Sequence, residues 1–326
     1  MGKGDLFSPT RYPLRSMHRF RPGWGFDLGG TKLDAVEIDG RGRIRRYRTA
    51  PLPAARSADS LASLVRDLQG QFRKGSRDRP PEVCGFSVAA VLQGPGAIVR
   101  MAPNLPALLD RPLRPWLERL LGLPVQVVND ANAGAEVERV RRPGGDFLYV
   151  ILGTGIGGGW VLSGRVYQGS FGSAGEVGHV YVGPPDRTCG CGLQGCLEAT
   201  AGGVGLARRA EELMPRPALP GGGAPPPWTA REVLLLAERG QRIARGLRDE
   251  AGRVLGRTLA SLANATGVGT VLVEGHLFRG APGYFRATER AWKEGLIHPL
   301  RGRARLLRAR PFPHRMAYGA WSLAQP

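Results

Sequence analysis

From Gly23 onward the chain alternates between short apolar runs and segments with helical spacing. The run GWGFDL, a Gly-Gly-Thr turn and LDAVEI predict two strands joined as a hairpin. Asp39-Gly40 then leads into a third strand, RIRRYRT; Asp-Gly between such runs is a strong turn signal. Over 58–72, Leu61, Leu64, Val65, Leu68 and Phe72 fall on one helical face. VCGFSVAAVL (83–92) reads as an apolar strand, followed by a proline-rich connection, a helix over 112–121 and the buried strand VQVVN (125–129). Asp130 opens a helix, and FLYVILG (147–153) is another continuous apolar strand. Further helices are predicted over 229–239, 241–263, near 282–293 and at 316–324, with strands at 270–275 and near 304–308. Residues 1–22 read as a mobile basic leader, and the Pro/Gly segment 214–228 as a surface loop. Strands and helices alternate, so the fold class is α/β.

Composition narrows the class. Of 326 residues, 42% are hydrophobic and 22% charged, which excludes wholesale disorder. Arg, Asp or Gly interrupts every run that approaches a membrane span, and the N-terminus has no apolar signal region, so a soluble cytoplasmic protein is expected. The net charge is +19, and all but four of the 46 basic residues are arginine. They are scattered, with no aromatic-interleaved stripe, so coding bias explains them better than nucleic-acid binding does.

Four stretches carry chemistry. In Asp27-Leu28-Gly29-Gly30-Thr31-Lys32 the paired glycines let backbone N–H groups approach a phosphate, and Asp27 is suited to hold Mg²⁺ through water. In isolation the same residues make a plain hairpin turn. Gly153-Thr154-Gly155, within LGTGIGGG, repeats the pattern after a second apolar strand. Neither turn is a Walker or dinucleotide fingerprint; together they suggest one nucleotide held by two lobes. Asn129-Asp130 lies at a strand-to-helix junction, where Asp130 is either a helix cap or a general base for a hydroxyl attacking phosphorus. His179, Cys189, Cys191 and Cys196 form a His-x9-Cys-x-Cys-x4-Cys set, a complete shell for structural Zn²⁺, and Glu176 and Glu198 flank it as acceptors for a polyol.

Taken together, DLGGTK, APNLP (102–106), NDANAGAE (129–136), LGTGIGGG, GEVGH and CxCGxxGCLE (189–198) resemble the ROK family of sugar kinases and repressors, which includes bacterial glucokinases. The resemblance implies a two-lobed actin-like, sugar-kinase (ribonuclease H-like) fold with an ATP cleft between the lobes. The smaller lobe is expected over 23–128 plus 311–326. The larger is expected over 129–310, with its zinc-binding loop at 175–198. It further implies a homodimer and a hexose kinase acting on the 6-hydroxyl, most simply of glucose, with Asp130 as base. Asn104, Asn129, Asp130, Glu176, His179 and Glu198 would bind the sugar. Asp27, Gly29, Gly30, Thr31, Lys32, Gly153, Thr154 and Gly155 would bind the nucleotide phosphates.

The chain departs from the family at Glu274-Gly275-His276, where a glycine triplet is usual. N-acetylmannosamine, N-acetylglucosamine or fructose are alternative acceptors. A sugar-sensing regulator is a third reading, for which the leader is too short to hold a helix-turn-helix; a catalytically silent sugar binder is a fourth.

Overall fold

The structure is a computed structural model that describes residues 20–54, 56–75, 79–183, 185–216 and 224–326. Most of the basic leader (1–19) and part of the Pro/Gly segment (217–223) lie outside the described residues. The chain divides into two compact units, 1–144 with 164–174 and 311–326, and 145–163 with 175–310.

The first unit opens with β1 (Gly23–Leu28), β2 (Lys32–Ile38) and β3 (Ile44–Pro51), an antiparallel meander. Helix α1 (Ala58–Gly75) leads to β4 (Val83–Val88), which pairs in parallel with β1. A short hairpin, β5 (Val91–Gln93) and β6 (Ile98–Met101), precedes α2 (Leu113–Leu121). Then β7 (Val125–Asn129) adds in parallel to β4 and runs directly into α3 (Asp130–Arg141). The strand order is β3-β2-β1-β4-β7. All six residues of β4 are buried, as a central parallel strand covered on both faces requires. On one face Leu61, Val65, Leu68 and Phe72 of α1 and Leu117 and Leu121 of α2 close over Trp24, Phe26 and Phe86. Each such side chain contributes about 1.5–3 kcal/mol of burial free energy.

The second unit begins with β8 (Phe147–Leu152) and β9 (Ile156–Leu162), an antiparallel pair. The short β10 (Arg165–Tyr167) follows in the chain and adds to the edge of this sheet, although residues 164–174 group with the first unit. Helices α4 (Leu197–Ala201), α5 (Gly203–Leu213), α6 (Ala230–Glu238) and α7 (Arg242–Thr266) come next. They are followed by β11 (Thr270–Glu274), α8 (Pro282–Gly295) and β12 (Arg305–Arg308). The sheet order is β10-β9-β8-β11-β12, with β8, β11 and β12 mutually parallel. Thr229 and Glu232 form a reciprocal capping box that fixes the start of α6.

The last helix, α9 (Arg315–Leu323), returns to the first unit and packs there at backbone distance. A Cβ on Gly25 would stand 2.0 Å from the carbonyl oxygen of Ala317, and one on Gly85 2.0 Å from the carbonyl carbon of Ala320. Only glycine permits that approach.

Several expectations are revised. Residues 129–144, expected with the larger lobe, belong to the first unit, because β7 is hydrogen-bonded to β4 and α3 packs on α9. Phe20 and Arg21, read as mobile leader, are held: the Phe20 ring packs tilted against Trp321 with centroids 5.6 Å apart, and the Arg21 carbonyl accepts from the Trp321 indole. Gly157–Gly159, read as part of a loop, lie within β9, where the missing side chains admit the 175–177 backbone and Val177. The glycine-dense stretch also hides α4 and α5, whose starts carry no polar cap.

Candidate functional site

In the first unit, the ends of β1, β4 and β7 gather the predicted residues. Asn129 caps α3, its Oδ1 accepting from the N–H groups of Ala131 and Asn132 while its Nδ2 donates to the Ala90 carbonyl. Asp130 therefore sits on the first helical position, where its Oδ1 accepts from Ala131 N–H at 2.9 Å. The helix N-terminus favours its anion, yet burial outweighs this and pushes the carboxyl up to about 6. Asp27, at the end of β1, accepts a hydrogen bond from the buried Ser87 hydroxyl at 2.9 Å. Burial, and then the negative charge of Asp130, push Asp27 up to about 7. Two hard oxygen donors with perturbed proton affinity thus face one region, a donor set that suits Mg²⁺.

The turn between β1 and β2 holds Gly29, Gly30, Thr31 and Lys32. Gly29 N–H donates to the Lys32 carbonyl. A Cβ on Gly30 would stand 3.2 Å from Asn104 Cβ, so Asn104 lies against this turn. Lys32 is ion-paired with Asp34 at 2.5 Å and its side chain is 54% exposed.

In the second unit, the β8–β9 turn holds Gly153, Thr154 and Gly155. Glu198 anchors it, accepting from Ile156 N–H at 2.8 Å, and a Cβ on Gly155 would strike the same carboxylate oxygen at 2.2 Å. The Gly153 and Thr154 carbonyls accept from Gly203 and Val204 at the start of α5. His276 packs on the turn, its Cε1 3.3 Å from where a Gly153 Cβ would be. Tyr149 donates to Glu274 at 2.8 Å. Burial and Arg279 both disfavour the charged form of His276.

The donor atoms of His179, Cys189, Cys191 and Cys196 all lie within 4.8 Å of one another. His179 Nδ1 is 3.6 Å from Cys189 Sγ, and Cys191 Sγ is 3.8 Å from Cys196 Sγ. A tetrahedron with Zn–S of about 2.3 Å and Zn–N of about 2.0 Å has edges of about 3.5–3.8 Å, so the four donors match a zinc shell. The free ring nitrogen of His179 faces Glu176 at 3.8 Å, an arrangement that orients the imidazole. Glu198 also accepts from Cys189 Sγ at 3.5 Å and so links the cluster to the Gly153–Gly155 turn. Gly175, at φ +101°, lets this segment press against the Gly158 carbonyl.

Each unit therefore assembles its own share of the predicted residues. Asp27, Gly29, Gly30, Thr31, Lys32, Asn104, Asn129 and Asp130 fall in the first. Gly153, Thr154, Gly155, Glu176, His179, Glu198 and the three cysteines fall in the second. Ser87 and the anchoring role of Glu198 escaped the sequence reading, because each depends on contacts between residues about 40 or more positions apart.

Two mixed five-stranded sheets define the class: a two-lobed, actin-like α/β fold of sugar-kinase type. The ROK family model matches residues 24–326, and the chain belongs to the ROK family. An N-acetylmannosamine kinase of Citrobacter koseri is 34% identical over 255 residues, 76% of this chain and 81% of the relative. A ROK hexokinase structure from Thermus thermophilus superposes with a TM-score of 0.78 at 33% identity, covering 93% of this chain and 97% of that one. A ROK glucokinase from Streptomyces griseus, in complex with glucose and AMPPNP, gives 0.76 at 28% identity over 93% and 99% of the chains. Among the described residues no helix is long and apolar enough to cross a membrane.

Proposed function

We propose that this chain is an ATP-dependent hexose kinase that phosphorylates the sugar 6-hydroxyl. The observation that carries the reading is Asp130: a half-buried carboxylate on the first turn of α3, its affinity for a proton raised to about 6. Such a base is still mostly ionised at neutral pH and well matched to accept a hydroxyl proton. As the O6–H proton passes to Asp130, O6 bonds to the γ-phosphorus, the bond from that phosphorus to the β–γ bridging oxygen breaks, and ADP leaves. Asn104 and Asn129 orient the sugar, and the family resemblance assigns Glu176 and His179 to sugar binding as well. The Gly29–Lys32 and Gly153–Gly155 turns hold the phosphates. Mg²⁺, held through Asp27, supplies charge neutralisation when bound. Zinc on His179 and the three cysteines fixes the segment that presents Glu176 and takes no part in the chemistry.

The acceptor has two readings. Glucose is the simplest, supported by the glucokinase complex. N-acetylmannosamine is favoured by the 34% identity to kinases of that sugar. Replacement of Asp130 by Ala tests the mechanism. Turnover measured by coupled ADP release should fall by about 10²–10⁴-fold, while sugar affinity by calorimetry is largely kept. Wild-type kcat/KM should also decline below a pH of about 6, as Asp130 gains its proton. Turnover retained in the variant would remove Asp130 from the role of base.

A further inference from the structure

Helix α3 carries Asp130 on its first turn and, further along, two glutamates that the proposed chemistry does not use. Glu136 is 0% exposed and Glu138 1%. Both are tied to α9, the last helix of the same unit. The Arg315 guanidinium, itself 4% exposed, donates from Nη1 to Glu138 Oε1 at 2.6 Å, across 177 positions of the chain. Arg141 and Arg142, at the far end of α3, pair with the same carboxylate at 3.4 and 3.1 Å. The Ser322 hydroxyl donates to Glu136 Oε1 at 2.7 Å, and Arg139 holds Glu136 with two hydrogen bonds of 2.6 and 2.7 Å. Phe312 covers the cluster, its ring centroid 5.8 Å from the Arg141 guanidinium and 5.9 Å from that of Arg315. Near Asp130 the two helices touch backbone to backbone: a Cβ on Gly319 would stand 1.9 Å from the Ala133 carbonyl oxygen.

Stability alone does not account for such a cluster. Burying charges carries a desolvation penalty that their attraction barely offsets, and an apolar pair of similar volume often holds a fold as well or better. What the charges add is registry. The apolar cluster at this contact, Val128, Ala133 and Ala320, consists of short side chains that can slide past one another. A carboxylate and a guanidinium in a dry contact accept one alignment only. We propose that Glu138 and Arg315, with Glu136 and Ser322, are positioning residues that lock the register of α3 on α9 and so place the Asp130 carboxylate. They act through the helix, and a misplacement of about 1 Å at a reacting group can cost about 100-fold in rate. The inference rests on the reading of Asp130 as base, and it adds the part of the fold that aims this base.

The test uses the full-length protein with ATP, Mg²⁺ and the hexose it turns over fastest. In the double variant Glu138→Leu/Arg315→Met both buried charges are gone, and Arg141 and Arg142, whose side chains are 24% and 38% exposed, turn to water. Its melting temperature should equal or exceed that of wild type. Its kcat should fall about 10–100-fold, while KM for sugar and for nucleotide stays within about threefold. The amides of Ala131 and Asn132, which donate to Asn129 Oδ1, should exchange hydrogen about tenfold faster or more, with those of β4 unchanged. Arg315→Met alone leaves Glu138 two cations and folds; it should lose about tenfold in kcat. Arg315→Lys, which keeps a charge for Glu138, should recover to within about threefold of wild type. A double variant that melts several degrees lower would make the network a source of stability and overturn the proposal. An unchanged kcat, or exchange at Ala131 and Asn132 as slow as in wild type, would overturn it as well. If wild type phosphorylates no sugar, faster exchange in the double variant at an unchanged melting temperature keeps the register lock and overturns the kinase reading.

Discussion

Asp27 lies near the end of β1 and Asp130 directly after β7, with β4 between the two strands, and the two carboxylates differ in what surrounds them. Burial raises the proton affinity of both; helix N–H groups oppose it at Asp130, whereas at Asp27 the negative charge of Asp130 adds to it and outweighs the opposing hydrogen bond from Ser87. The consequence is a stability that depends on pH. Asp27 binds its proton more tightly in the folded chain, about 7 against an ordinary 3.8. Folding therefore takes up a proton between these values. The contribution of this group to stability is fully present below pH 3.8 and is lost as pH rises through about 7. Asp27→Asn removes the titration. In the absence of metal and nucleotide, the variant should melt several degrees above wild type at a pH of about 8. The difference should disappear by a pH of about 4. A difference in melting temperature that is flat with pH would show that Asp27 carries no perturbed proton affinity.

At the scale of elements, the described residues from Gly175 to Glu198 contain little regular structure, a single 3₁₀ turn over Val177–His179 followed by the start of α4. Its order comes from the His/Cys cluster and from glycines pressed on β9. Cys191→Ser should therefore reduce bound zinc from about one per chain to a small fraction, measured by elemental analysis. Because Glu198 ties the cluster to the β8–β9 turn, nucleotide affinity should weaken in the same variant. Full metal content with unchanged nucleotide binding would dismantle this account. Local pattern was enough to read most elements. The five spaced apolar residues of α1, the run of β7 and the turn at Asp39-Gly40 each declare themselves within a few residues. The motif residues were legible too, because soft ligands and paired glycines are chemically conspicuous. What stayed hidden depends on distant partners. The strand Ile156–Leu162 looks like a loop until Gly175 and Val177 are seen to occupy the space its glycines leave. Asn129 reads as a sugar ligand, and the structure adds a cap whose oxygen is already committed to two backbone donors.

Across the whole molecule the charge is lopsided. With 46 basic and 27 acidic residues, pairing every acidic group would still leave 19 cations. The described ion pairs are mostly local, such as Arg139 with Glu136 and Lys293 with Glu289, and they do not alter that surplus. A field of this sign attracts a polyanion and is indifferent to an uncharged sugar. The two substrates of the proposed reaction should therefore respond differently to ionic strength. Raising salt from about 20 mM to about 300 mM shortens the Debye length from about 20 Å to about 6 Å and screens the surface arginines from an approaching nucleotide. Under these conditions kcat/KM for ATP should fall several-fold, chiefly through a higher KM, while kcat/KM for the hexose measured at saturating ATP changes little. Duplex DNA offered as a competitor should inhibit at low salt without regard to its sequence and lose its effect as salt rises, because phosphate contacts alone carry no base readout. Equal salt sensitivity for donor and sugar would locate the effect in the stability of the fold. Sequence-dependent inhibition by DNA would restore the regulator reading that the scattered arginines argue against.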